Sequence, residues 1–190
     1  MKLDIILSGV GGQGILSIST IIGEVVVKKG MFLKQAEVHG MSQRGGEVQS
    51  HLRISDKPIY SDLIQEGKAD MIISVEPMES LRYLPFLASN GRLFTNLKPF
   101  INIPTYPAID VIIDEIKKVP NHVIIDADAI ASDIGTPVVM NMVMLGAASV
   151  YMPFDANDFR DAIKTVFENK GEKIISLNLL AFEKGLIYHE

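Results

Sequence analysis

The sequence predicts the α/β class: a mostly parallel sheet with helices on both faces and a helical C-terminal part. Three observations carry this. A short β-prone run over residues 3–7 meets a glycine-rich turn and then a helical repeat. Residues 71–75, MIISV, are apolar without alternation, as a strand buried on both faces requires. From residue 138 onward, helical periodicity replaces the strand signals.

Each element follows from its own pattern. Ile15, Ile18, Ile22, Val25 and Val26 recur at helical spacing up to Gly30, so strand, turn and helix open the chain. Residues 31–38 read as a second strand and 46–54 as a third. In the third, alternation sets Val48, Leu52 and Ile54 on one face and Glu47, Gln49, His51 and Arg53 on the other, which predicts an edge or half-solvated antiparallel strand. Pro77, just after MIISV, suits the first turn of a helix. Residues 92–95 and 123–125 read as two more short strands, with Ile109, Ile112, Ile113 and Ile116 marking a helix between them and 99–107 an irregular excursion.

The run VVMNMVMLGAASVYM at 138–152 is apolar nearly all round and predicts a buried helix, in which Gly146 allows close helix contact. Met140, Met142 and Met144 there read as packing side chains. Asp155 suits the N-cap of a helix striped by Phe159, Ala162, Ile163, Val166 and Phe167. A final helix, roughly 172–184, carries Leu180 and Phe182 and stops near Gly185. Alternating strands and helices assemble into a Rossmann-like three-layer domain. With 190 residues, and neither a repeat nor a linker, the chain is most simply a single domain over 1–190.

Composition removes several function classes. A net charge of −5, from 18 Lys+Arg against 23 Asp+Glu, supplies no basic face for nucleic acid. Without cysteine the chain forms no disulfide and ligates no iron–sulfur cluster through thiolates. No local metal spacing stands out, because His39 and His51 are far apart and no HExxH occurs. A G-x-S-x-G nucleophile elbow is also missing. MKLDIILSGV lacks the form of a signal peptide, and no run reaches the ~20 apolar residues of a membrane span. A cytoplasmic protein that does not meet a membrane is expected.

Two stretches are candidates for function. Gly9, Gly11 and Gly14 in GVGGQG fit the dinucleotide pattern G-x-G-x-x-G between a strand and a helix, where Gly12 and Gln13 complete a loop able to cradle an anion. The acid that should grip a ribose is represented only by Glu37, close to the required place without a clean match. Two readings stay open: an anion cradle, or glycines that let strand and helix pack closely. The second stretch is HGMSQRGG, in which Gly40, Gly45 and Gly46 bracket Ser42, Gln43 and Arg44 at the expected carboxyl end of the second strand, the ligand-binding edge of open α/β sheets. Arg44 offers a planar fork to a phosphate or carboxylate, and His39, Ser42 and Gln43 offer neutral hydrogen-bonding groups.

With these residues laid out, the chain resembles the gamma-domain family of 2-oxoacid:ferredoxin oxidoreductases, and within it the small beta subunits of the indolepyruvate type. The resemblance rests on GVGGQGILSIS at 9–19, EVHGMSQRGGEVQSHLR at 37–53, YSDLIQEGKADMIISVEPMESLRYL at 60–84, NMVMLGA at 141–147 and LAFEKG at 180–185. It implies a Rossmann-like fold and a two-subunit enzyme. The large alpha subunit would carry thiamine diphosphate and iron–sulfur clusters, with coenzyme A as co-substrate and ferredoxin reached through the complex. This chain would hold no cofactor alone. His39 and Arg44 are then expected to face the reaction, with Ser42, Gln43 and the Gly9–Gly14 loop as binding residues. A purely structural accessory subunit and a stand-alone NAD(P)-binding oxidoreductase are the competing readings, the latter without a Tyr-x-x-x-Lys pair.

Overall fold

The computed structural model describes residues 1–39 and 45–188, with His39 described through its backbone. Among the described residues six strands form one sheet: β1 (Lys2–Val10), β2 (Phe32–His39), β3 (Glu47–Ser55), β4 (Ala69–Ser74), β5 (Leu87–Asn96) and β6 (His122–Ile125), in the order β2-β3-β1-β4-β5-β6. The pairs β1–β4, β4–β5 and β5–β6 are parallel, whereas β3 runs antiparallel to both its neighbours. The sheet is therefore parallel except for β3, in agreement with the predicted class.

Alternation along the central strands builds two cores. Ile5, Leu7, Met71, Ile73 and Phe94 face α1 (Ile15–Lys28), α4 (Ala127–Ile134), α5 (Met140–Ser149), α6 (Ala156–Phe167) and α7 (Glu172–Leu186). Ile6, Ile72 and Leu93 face α2 (Pro77–Arg82) and α3 (Ile109–Ile116) on the opposite side. Burial on both faces explains why MIISV shows no alternation. The predicted close contact at Gly146 is present: a Cβ there would lie 2.2 Å from the Phe182 carbonyl oxygen, and one at Gly185 would lie 2.1 Å from that of Val143. These two glycines let α5 and α7 meet backbone to backbone.

Three local expectations need correction. The strand at 46–54 is no edge, because β3 is hydrogen-bonded on both sides and β2 takes the edge. The His51–Arg53 end of its polar face is covered by the segment 56–68. Helix α4 escaped the periodicity reading because its buried residues are only Ala127 and Ala131; its signals are the Asp126 cap, which accepts from Ala129 N at 3.0 Å, and the left-handed Gly135. The β5 strand begins earlier than expected, at Leu87, and its register shifts before it pairs Met71 with Arg92. Among the described residues no helix is long and apolar enough to cross a membrane.

Candidate active-site cleft

The carboxyl ends of β1 and β4 lie side by side, and the chain leaves them toward opposite faces, β1 into α1 and β4 into α2. Such a switch point opens a crevice in α/β sheets. The loop 10–14, the sequence 75–77, the excursion 97–107 and the glycines 45–46 before β3 converge there.

Each predicted glycine has a local account. A Cβ on Gly9 would meet Val75 at 2.3 Å, and one on Gly14 would meet Asn141 at 2.4 Å. Close packing therefore requires both. Gly14 also adopts φ 80° as the N-cap of α1, a left-handed conformation that glycine enters at little cost. Gly12, at φ 101°, is exposed to open space. Gln13 folds back into the loop, its Oε1 accepting from Val10 N at 2.7 Å and its Nε2 donating to the Val75 carbonyl at 3.4 Å. Gly11 N donates to the Gly46 carbonyl at 2.9 Å, which joins the glycine loop to the start of β3. Asn102 donates to the Gly45 carbonyl at 2.7 Å, so the excursion is tied to the same point.

Ser42, Gln43 and Arg44, with Gly40 and the side chain of His39, lie outside the described residues. The described residues His39 and Glu47 end β2 and begin β3 at the cleft edge of the sheet. Glu37 sits on β2, and β3 separates it from β1. Two strand spacings, about 10 Å, intervene where a ribose-binding acid would need to be adjacent to the first strand.

Sequence reasoning missed five polar groups at or near this edge. Glu76, fully buried, caps α2 by accepting from Glu79 N at 2.8 Å and also accepts from Phe100 N at 3.2 Å and from the Tyr106 hydroxyl. Burial, and then the Glu76 carboxylate, push the Tyr106 phenol upward, so it remains a donor. Glu79 is buried beside them, and desolvation raises its pKa against the opposing pull of Arg82. Arg82 bonds Glu79 at 2.9 Å and reaches Glu47 at 3.2 Å, linking α2 to β3. Tyr83 is held up at about 12 by burial and by Glu47 and Glu79. The acid at 76, placed directly between an apolar strand and Pro77, is the signal that a cap search would have found.

One further pair marks the cleft floor. Ser8 and Gln49 stand opposite each other on β1 and β3, and Ser8 Oγ and Gln49 Oε1 are buried without a hydrogen-bond partner. Buried polar atoms ordinarily find partners, so these two are open to a water or a ligand group.

The other half of the polar stretch is fully used. Arg53 makes a bidentate pair with buried Asp4 (2.9 and 3.2 Å) and donates to the Ser61 and Leu63 carbonyls. His51 Nδ1 accepts from Ile64 N at 3.0 Å, and the ring packs edge-on against Phe86. That acceptor role needs a neutral imidazole, and burial, with Arg53 second, lowers the His51 pKa.

The family model for pyruvate ferredoxin/flavodoxin oxidoreductase matches residues 4–188. The indolepyruvate oxidoreductase subunit IorB of Archaeoglobus fulgidus is 40% identical over 97% of this chain and 94% of its own length. Its counterpart in Thermococcus kodakarensis is 36% identical over 97% and 95%. Among solved structures, the gamma subunit of a keto/oxoacid ferredoxin oxidoreductase from Geobacter sulfurreducens superposes with a TM-score of 0.70 at 24% identity, covering 96% of this chain and 95% of that one. The 2-oxoglutarate:ferredoxin oxidoreductase of Magnetococcus marinus, with 2-oxoglutarate, coenzyme A and succinyl-CoA bound, gives a TM-score of 0.77 at 21% identity. The match covers 97% of this chain and 30% of that protein. At these identities the two structures speak to the fold alone.

Proposed function

Because the chain belongs to the pyruvate ferredoxin/flavodoxin oxidoreductase family, we propose that it is the small subunit of a 2-oxoacid:ferredoxin oxidoreductase acting on indolepyruvate or a related aryl pyruvate. In this reading it forms one wall of an active site carried by a larger alpha subunit. The complex converts the oxoacid, coenzyme A and oxidised ferredoxin into the aryl-acetyl-CoA, carbon dioxide and reduced ferredoxin. Thiamine diphosphate supplies the decarboxylation chemistry and iron–sulfur clusters the electron exit. The residues of this chain do not fit a cluster, since it has no cysteine and no described group of three His, Cys, Asp or Glu could hold a metal ion. The clusters are therefore assigned to the partner, and in this reading the thiamine diphosphate lies with them.

The observation that supports the reading is the Gly11–Gly46 hydrogen bond, which joins the glycine loop to the start of β3 at the switch point. Arg44 binds an anionic group of the oxoacid or coenzyme A, while His39, Ser42 and Gln43 orient it. Gly9 and Gly14 let the loop pack, and Gly11, Gly12 and Gln13 present it toward the bound group.

Anaerobic affinity purification of the tagged chain from its host tests the assembly. A large, iron-rich, thiamine-binding subunit should co-elute; recovery of the chain alone, free of iron, overturns the proposal. Within the complex, Arg44→Ala should raise KM for the oxoacid or coenzyme A by about tenfold or more, the loss expected for one charge-assisted hydrogen bond. Wild-type turnover and wild-type KM for both substrates would leave only an accessory structural role.

A further inference from the structure

A second cavity opens at the opposite edge of the sheet. It has a volume of about 160 Å³ and lies between Arg92 on β5, His122 at the start of β6, and Ala147 and Tyr151 at the end of α5, with Phe94 behind. Four residues of strand, about 13 Å, separate Arg92 from Asn96 at the cleft edge, so the cavity is distinct from the candidate active site.

The four described arginines differ in how their charge is met. Arg53 pairs with Asp4, Arg82 with Glu79 and Arg160 with Glu183. Arg92 alone among them has no carboxylate and no hydrogen bond. It is half-buried, and its guanidinium lies 4.0 Å over the Tyr151 ring. Stacking engages the face of a guanidinium, while its five N–H donors lie in the plane and stay available to an acceptor. The aromatic face thus fixes the orientation of the fork without consuming it. His122 is poised alongside: its Nδ1 is 2.7 Å from the Val119 carbonyl. A carbonyl can only accept, so Nδ1 carries the proton and Nε2 is left as an acceptor in the neutral ring.

We infer that this cavity is a binding site for a small oxyanion, a phosphate or a short carboxylate. A planar fork is the donor geometry that such groups take, and an acceptor nitrogen beside it matches the hydroxyl of a hydrogen phosphate. The volume limits the occupant, since pockets for drug-sized ligands run to roughly 300–1,000 Å³. The Phe94 and Tyr151 rings, 5.5 Å apart, and Val123 form the cavity's apolar side, and Tyr188, whose hydroxyl donates to the Ile124 carbonyl at 2.9 Å, lines it beside the fork.

The test is a two-dimensional NMR titration of the nitrogen-15-labelled full chain with sodium phosphate, and separately with sodium acetate, at ionic strength held constant with chloride. Saturable shifts of the Arg92 Nε–H and the His122 ring signals are expected with at least one of the two anions. Arg92→Met should weaken that binding at least tenfold, and Arg92→Lys, which keeps the charge without the fork, should weaken it by a smaller factor. The Lys variant preserves a reading if the Met variant fails to fold. Shifts confined to the amides of Gly12 and Gly14, shifts that rise linearly without saturating, or unchanged affinity in both variants would overturn the inference. None of these outcomes depends on a partner subunit, so the result stands apart from the proposed enzyme function.

Discussion

The two ends of β3 carry the same polar pattern on the same face and meet opposite fates. At one end Arg53 and His51 are consumed, clamping Asp4 and the carbonyl and amide groups of the segment 56–68. At the other, Gln49 keeps a buried oxygen without a partner and Glu47 makes only a half-exposed pair with Arg82. The difference lies in what the chain lays over each end. Segment 56–68 covers the first, whereas the second borders the cleft. Polar residues in one strand are thus divided between holding the fold and lining a site, and the alternation that they share cannot divide them.

Substitutions along this strand sharpen the contrast, and the largest effect should be at Arg53. Removing it in Arg53→Met takes the bidentate partner from the Asp4 carboxylate, 1% exposed, and leaves it the half-exposed Lys2 ammonium at 2.7 Å. Breaking such a pair costs about 3 kcal/mol here, at the low end for buried pairs because Arg53 itself is partly exposed. Urea denaturation should show it as a lower midpoint, and an unchanged midpoint would mean that the clamp is not structural.

His51→Phe should keep the ring packing and lose the acceptor for Ile64 N, costing about 1–2 kcal/mol for an unsatisfied buried donor. It should also change the pH dependence. In the unfolded chain an imidazole takes up a proton near pH 6.5, while burial lowers the value in the folded state. The unfolded state therefore binds more protons just below pH 6.5, so wild-type stability is full above that value and falls as the solution is acidified through the folded-state pKa. Thermal melts between pH 5 and 8 should show a shallower acid slope in His51→Phe than in the wild type.

At the cleft end the expected costs are small. Glu47→Gln removes an ion pair whose side chains are both nearly half exposed, which is worth less than about 1 kcal/mol. Ser8→Ala removes a hydroxyl with no partner and should leave the denaturation midpoint within about 0.5 kcal/mol of wild type. A cost above about 2 kcal/mol at Ser8 would place that group with Arg53 as part of the scaffold and abolish the contrast.

Much of the architecture was legible because side-chain periodicity reports which faces are buried. The apolar MIISV, the all-round apolar run at 138–152 and the Gly146 contact were all readable from neighbours close in sequence. Helix α4 was hidden because alanines bury its face, and a stripe of alanine is weak beside one of isoleucine. The glycine loop was located correctly, but two of its glycines serve packing against Val75 and Asn141, residues more than 60 positions away. Glu76 and Tyr106 were not singled out, since their partnership joins a strand end to an irregular segment 30 residues later.

By itself the sequence determined the α/β class, the order of the strands and of every helix but α4, and through its long motifs the oxidoreductase family. Only the tertiary structure decided that β3 lies between β2 and β1, which moves Glu37 away from the first strand and brings Gly46 against Gly11. The physical reason is that a strand's side-chain period encodes its two faces, while its neighbours are chosen along the edges by backbone N–H and C=O groups. Those groups are the same in nearly every residue, so the pairing is written in no local pattern and emerges when the whole sheet closes its hydrogen bonds.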